Sequence, residues 1–116
     1  MVAKAIHRNF GMSPAKVRRI LGLIKNKPVG EALAALKFRS TPAAKAVAKV
    51  IRSAAANGEN NEFMAADDLR IIGAYADDAP RLKRFRPQSR GRINPIIRRS
   101  CHITVFVGEE GAKLGT

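Results

Sequence analysis

Few side chains in this 116-residue sequence are of a type that catalyses reactions, and their spacing keeps them apart. His7 and His102 lie at opposite ends of the chain, with no Cys, His or Asp at the spacing a metal site needs. Asp67-Asp68 and Asp77-Asp78 are paired carboxylates. Adjacent strand residues point to opposite faces, so neither pair converges on a site, and both read as strand ends. Cys101 follows Arg98 and Arg99, and positive neighbours lower a thiol's pKa. The β-type run around it makes a small buried strand residue the preferred account. The glycines are dispersed and form no phosphate-cradling loop. The expectation is a chain with no catalytic residue, no metal and no cofactor: not an enzyme.

A different chemistry is concentrated between residues 79 and 100, "APRLKRFRPQSRGRINPIIRRS". Arg81, Lys83, Arg84, Arg86, Arg90, Arg92, Arg98 and Arg99 occur there without one Asp or Glu. No local counter-charge exists, so it must come from outside, and phosphates are the natural source. Seven of these eight cations are Arg, which grips phosphate through two parallel hydrogen bonds and stacks on bases. Leu82, Phe85, Ile93, Ile96 and Ile97 are interleaved with the charges, unlike a simple basic tail. A second cluster, Lys4, Arg8, Lys16, Arg18, Arg19, Lys25 and Lys27, precedes the first acid, Glu31. Lys25 and Lys27 fit a solvated helix face equally well; Arg8, Lys16 and Arg19 lean toward phosphate contact. His102, beside Arg98 and Arg99, either touches phosphate or fills a sheet face. The acids Glu59, Glu62, Asp67, Asp68, Asp77 and Asp78 gather elsewhere, predicting a basic side and an acidic end.

These residues need elements to hold them. "VAKAIHRNF" alternates imperfectly, with Val2, Ile6 and Phe10 on one parity, and predicts a short strand. Ser13-Pro14 is a helix start in which Ser13 can accept an orphan N–H. Val17, Ile20, Leu21 and Ile24 then make one helical face. A second helix spans "PVGEALAALKF", with Val29, Leu33 and Leu36 along one side. A third follows Thr41-Pro42, with Ala43, Val47, Val50 and Ala54 in a stripe and Asn57-Gly58 as its stop. "LRIIGAYA" and "CHITVFV" read as strands. The basic stretch between them then becomes a long β-hairpin with its turn in "PQSRG". Each side would run on the order of 50 Å at ~3.3 Å per residue. A long apolar hairpin without a covering sheet is poorly stable in water, so a partner must enclose it. The competing account is a basic loop with no order of its own.

The whole composition narrows the partner. Twenty-two Lys and Arg against nine Asp and Glu give a formal charge of +13, which draws polyanions. One cysteine makes no internal disulfide, so nothing signals an oxidising compartment. No stretch approaches the ~20 apolar residues of a membrane span, and the N-terminus lacks the apolar run of a signal peptide. The expectation is a cytoplasmic RNA-binding structural protein.

"SPAKVRRILGLIKNKPVGEALAAL", followed by "PRLKRFRPQSRGRINPIIRRSCHITVFV", resembles the bacterial form of the ribosomal protein L twenty-two family of the large subunit. "KRFRPQSRGR" and "RRSCHITVFV" are the specific part, and the resemblance covers residues 2 to 107. It implies an α+β fold: about three helices packed on a short antiparallel sheet of about three strands, with a long protruding β-hairpin. It implies a single domain over 1–116, its arm at about 70–107 and its basic distal part at about 79–99. The implied function is structural: binding large-subunit rRNA, aiding assembly and lining the nascent-peptide exit tunnel. Carried over to this sequence, Arg90, Arg92, Arg98 and Arg99 would contact rRNA; with the basic clusters read above, the expected rRNA-binding set is Arg8, Lys16, Arg18, Arg19, Arg81, Lys83, Arg84, Arg86, Arg90, Arg92, Arg98, Arg99 and His102. Leu82, Lys83, Arg84, Arg86, Gln88, Ser89 and Arg90 would line the tunnel. Implied partners are large-subunit rRNA, neighbouring ribosomal proteins and the nascent polypeptide, with no membrane and no homo-oligomer.

Two other readings compete. A DNA-bending protein with a basic β-arm usually needs a dimer with a shared apolar face, and no spare face is evident. A membrane-surface module would set its charges opposite an apolar helix face, whereas here they lie in a β-type segment.

Overall fold

The computed structural model describes residues 2–61, 69–87 and 89–109. In chain order the elements are β1 (Val2–Phe10), α1 (Pro14–Ile24), α2 (Val29–Lys37), α3 (Pro42–Asn61), β2 (Leu69–Asp78), β3 (Leu82–Pro87), a single 3-10 turn (Ser89–Gly91), β4 (Ile93–Arg98) and β5 (Cys101–Glu109). This is the expected α+β arrangement of three helices on an antiparallel sheet with a hairpin projecting from it. The strands form a three-stranded sheet in the order β1-β5-β2 and a separate two-stranded ladder, β3-β4.

Strand β5 sits at the centre because its alternation is the cleanest. Cys101, Ile103, Val105 and Val107 are buried, while His102, Thr104 and Phe106 are half-buried on the other face. The helices cover the first face, α3 against β1 and β5, α1 against β2. Val17, Ile20, Leu21 and Ile24 all enter the core, as the helical spacing predicts. So does the small-residue stripe Ala43, Val47, Val50 and Ala54, joined by Ala44 and Ile51. On α2 the buried line is Val29, Ala32 and Leu36, and Leu33 lies at its edge.

The structure corrects several local expectations. In β1 the inward parity is the one opposite to Val2 and Ile6: Ala3 is buried, and Val2 and Ile6 face outward. The register then shifts between His7 and Phe10, where Asn9 takes a φ of 58°, and Phe10 turns back toward the core. Asn57-Gly58 does not stop α3, which continues to Asn61. Asn57 instead donates from Nδ2 to the Lys4 carbonyl oxygen at 2.9 Å, tying the last turns of the helix to β1. At the start of α1, Ser13 holds the capping position but its side chain makes no capping bond; its carbonyl oxygen accepts from Lys16 and Val17. Thr41 does cap α3, with Oγ1 accepting from Ala44 N–H at 3.4 Å. Leaving α1, Asn26 turns through a φ of 62° and donates from its backbone N–H to Ile71, whose N–H returns to Lys27. That exchange seals part of the β2 edge, since an open strand edge otherwise presents unpaired backbone groups.

The hairpin is jointed. Asp78 pairs with Cys101 in the body sheet, and Ala79 donates its N–H to the Ser100 carbonyl oxygen at 3.1 Å. Pairing resumes with Leu82 opposite Arg98. Pro80 and Arg81 therefore oppose Arg99 alone, which is the count of a β-bulge, a feature that bends a ladder and re-aims it. Pro80 has no N–H to donate, and its carbonyl oxygen accepts from Ser100 Oγ at 3.0 Å. Beyond this joint only six residues on each side form the free ladder. The turn falls where the sequence places it, with Arg90 at φ 62° and Gly91 at φ 72°. Gly91 meets no steric penalty there, and Arg90 adopts a region L-residues enter uncommonly. Gln88 lies outside the described residues, as do Glu62, Asp67 and Asp68. The long dimension of the molecule is 63 Å, against 30 and 21 Å across.

Candidate nucleic-acid interface

The pairing register sorts the arm's side chains onto two faces, because strand residues alternate and paired residues share a side. Leu82, Arg84 and Arg86 stand with Arg98, Ile96 and Asn94. Lys83, Phe85 and Pro87 stand with Ile97, Pro95 and Ile93. One face thus carries three guanidinium groups and the other is largely apolar. Sequence reading saw only that charges and apolar residues were interleaved; the partition needs the register. Neither face is covered by protein: Phe85 is 70% exposed, Ile93 64% and Leu82 53%. Arg84 donates from Nη1 to the Lys83 carbonyl oxygen at 2.9 Å, a contact that leaves its remaining donors open to solvent.

At the arm's root the β1–α1 connection faces the joint across a cleft of about 920 Å³. Lys16, Arg98 and Arg99 line it together with Met12, Leu82 and Ile97. The fold therefore brings together members of the two basic clusters, Lys16 and Arg98, that stand 82 positions apart in the sequence. A lining that mixes apolar side chains with cations suits a nucleotide, whose base sheds water while its phosphate keeps its charge. A smaller hollow of about 420 Å³ brings Arg8 and His102 together, with Asp77 beside them. His102 Nδ1 accepts from Asn9 N–H at 3.1 Å, pinning the β1 bulge to β5 and fixing the ring.

Other candidate residues are placed differently. Arg18 donates from Nε and Nη2 to the Ala76 carbonyl oxygen, at 3.1 and 2.8 Å. Its guanidinium thereby clamps α1 to β2, so it serves the body whatever else it touches. Arg19 is exposed on α1 and lines neither hollow. Arg81 is exposed at the joint, and Ser89, Arg90 and Arg92 are exposed at the turn. Asp77 and Asp78 end β2 as expected, but they stand at the arm's root rather than at a remote acidic end. Cys101 is fully buried, and burial pushes its thiol above the ordinary value of 9.0, against the pull of Arg18 and with a further push from Asp78. It is a core residue. Among the described residues no group of His, Cys, Asp and Glu could hold a metal ion, and no helix is long and apolar enough to cross a membrane. Met12, Asn9, Pro80 and Ser100 also shape the cleft; nothing in their types or spacing marked them beforehand.

A small helix-backed sheet extended by an uncovered, acid-free basic arm defines a nucleic-acid-binding protein of the kind that is finished by its partner. The chain belongs to the ribosomal protein L22p/L17e family, whose model matches residues 5–108. It is 52% identical over 109 residues to the large ribosomal subunit protein uL22 of Dehalococcoides mccartyi (strain CBDB1), covering 94% of this chain and all of that protein. The uL22 of Synechococcus sp. (strain JA-3-3Ab) is 49% identical over 104 residues, covering 90% of this chain and 85% of the relative. That of Staphylococcus haemolyticus (strain JCSC1435) is 45% identical over 115 residues, covering 97% and 98%.

Proposed function

We propose that this chain is a structural, non-enzymatic constituent of the large subunit of the cytoplasmic ribosome, binding large-subunit rRNA and neighbouring ribosomal proteins. It works as a single domain and a single copy, with the body anchoring on rRNA and aiding assembly while the arm reaches inward. The observation that carries this reading is the arm: a two-stranded ladder with large apolar residues on one face, arginines on the other and no covering protein. Isolated hairpins of this kind are at best marginal in water. RNA supplies both missing terms, phosphates for the charges and bases or riboses for the apolar groups. Recognition rests on shape and backbone, since side chains cannot read the deep major groove of A-form RNA.

Arg84, Arg86 and Arg98 form the arm's phosphate-facing side. Lys16, Arg98 and Arg99 grip RNA at the root, with Arg8 and His102 beside them, and Arg19, Arg81, Lys83, Arg90 and Arg92 add further contacts. Arg18 contacts rRNA only through donors not engaged by Ala76. The distal arm, with Leu82, Lys83, Arg84, Arg86, Gln88, Ser89 and Arg90, lines the exit tunnel and meets the nascent polypeptide. The DNA-bending alternative is not favoured, since the relatives are named as large-subunit proteins. Sedimentation of a tagged copy through sucrose, at moderate and then high salt, is the decisive experiment. Co-migration with the large subunit that survives the salt wash supports the reading; migration at the top, or with DNA, defeats it.

A further inference from the structure

The outer face of the body sheet has no role in the arm-based reading. Among the described residues, the helices pack on the opposite face, where Ile71, Ile103, Val105 and Val107 enter the core. The registers lay its residues out in rows: Val2, Gly108 and Arg70; then Lys4, Phe106 and Gly73; then Ile6, Thr104 and Tyr75. None of these rows contains an acid. Among the described residues, the carboxylates flanking these rows are Glu109, beyond the first row, and Asp77, which pairs with His102 beyond the last. Tyr75 and Phe106 form an edge-to-face pair with centroids 6.1 Å apart and planes at 74°. Tyr75 is 44% exposed, as is Ile6 at 42%. Lys25 Nζ lies 5.8 Å from the Tyr75 ring centroid. A groove of about 280 Å³ runs alongside, walled by Tyr75, Lys25, Arg18 and Asp77.

We propose that this face is a second RNA-binding surface, on which unpaired nucleotides stack against Tyr75 and Phe106 while Lys4, Lys25 and Arg70 hold their phosphates. The inference rests on the RNA-binding reading and adds a site distinct from the arm. Aromatic rings on an open sheet present flat π-surfaces to bases and tolerate any sequence. The cations argue for RNA over protein: Lys4 and Arg70 share their rows with no acid, Lys25 and Arg18 outnumber Asp77 along the groove, and a protein partner would have to bring further carboxylates. Lys25 already leans on Tyr75, an exposed cation–π contact weak enough to give way to a phosphate.

The chain supplies its own reporter, having one tyrosine and no tryptophan. Short single-stranded oligouridine added to the full-length protein should quench Tyr75 emission, since a stacked base contacts the ring. A duplex RNA of equal charge should bind, by fluorescence polarisation of a labelled copy, without quenching. Phe106→Leu and Tyr75→Leu should each weaken oligouridine binding about tenfold and leave duplex binding unchanged. Arg84→Gln with Arg86→Gln should weaken the duplex and keep the quenching. Oligouridine that binds by polarisation but leaves Tyr75 emission untouched would place it on the arm alone and overturn the proposal. So would a Tyr75 signal that responds only to purified ribosomal proteins. Failure of both RNAs to bind would instead remove the RNA-binding reading on which it rests.

Discussion

The body and the arm are built from the same residue types and reach opposite solutions. In the body, Ile103 is paired on two sides and fully buried; in the arm, Ile93 and Ile97 alternate just as regularly and remain 64% and 47% exposed. Alternation makes a strand in both places. Helices provide the covering layer in one place only. The lesson is that periodicity fixes which side chains share a face, while burial depends on a second layer, and this chain leaves that layer to another molecule.

Substitutions of equal chemistry in the two regions give the sharpest contrast. Ile103→Ala should cost about 2–5 kcal/mol, the range for truncating a packed aliphatic residue. Ile97→Ala should stay within about 0.5 kcal/mol, since an exposed side chain gives up little on truncation. Urea denaturation followed by circular dichroism reads both. Similar losses from the two would mean that the arm is part of the cooperative fold and the contrast is mistaken.

The reverse contrast appears in RNA binding. Replacing Arg84, Arg86 and Arg98 together by Gln should lower the slope of log affinity against log salt by roughly 2 to 3, about 0.7–0.9 for each phosphate no longer neutralised. Unfolding should be nearly unaffected. Three equally exposed body cations on α3, Lys45, Lys49 and Arg52, serve as the control. If their replacement by Gln changes the slope equally, net charge rather than the arm's arrangement drives binding.

A smaller effect concerns the body's interior. Burial raises the Cys101 thiol above 9.0 in the folded state, while the unfolded chain keeps the ordinary value. Below about pH 9 both states hold the proton and nothing changes with pH. As pH rises past the unfolded value, the unfolded chain loses its proton first and so binds fewer, and stability falls until the folded value is passed. Denaturation midpoints should therefore decline as the pH is raised above about 9, and Cys101→Ala should flatten part of that decline. An unchanged slope would show that Cys101 ionises as freely inside as outside.

How far the sequence leads follows the same division. The core faces of α1 and α3, the strand at Cys101 to Val107 and the turn before Gly91 all follow from local pattern, because each is a periodicity or a backbone requirement. The inward parity of β1 does not, because Ala3 and Ala5 look less like core residues than Val2 and Ile6; pairing with β5 decides it. The overrun of α3 past Asn57-Gly58 depends on the Lys4 carbonyl, a partner more than 50 residues away. Arg18 reads as one more phosphate ligand until Ala76 is seen to occupy it. The arm's two faces and the cleft uniting Lys16 with Arg98 and Arg99 are products of register and joint. Local pattern therefore identifies the cations but not their grouping.

The joint between the regions gives the smallest and most localised expectation. Body and arm meet where Pro80 and Arg81 bulge opposite Arg99, and two hydrogen bonds span the bulge, Ala79 N–H to the Ser100 carbonyl oxygen and Ser100 Oγ to the Pro80 carbonyl oxygen. Ser100→Ala removes the second and keeps the first. An exposed, solvent-competed bond of this kind contributes about 1 kcal/mol or less, and the body core does not touch it, so global stability should hardly move. The arm, however, has little else to fix its angle to the body. Amide hydrogen exchange in β3 and β4 should therefore quicken several-fold while Ile103 and Val105 exchange as before. Faster exchange throughout would mean that the bulge couples the two regions rather than separating them. No change in either would show that the Ala79 bond and the bulge geometry alone set the joint.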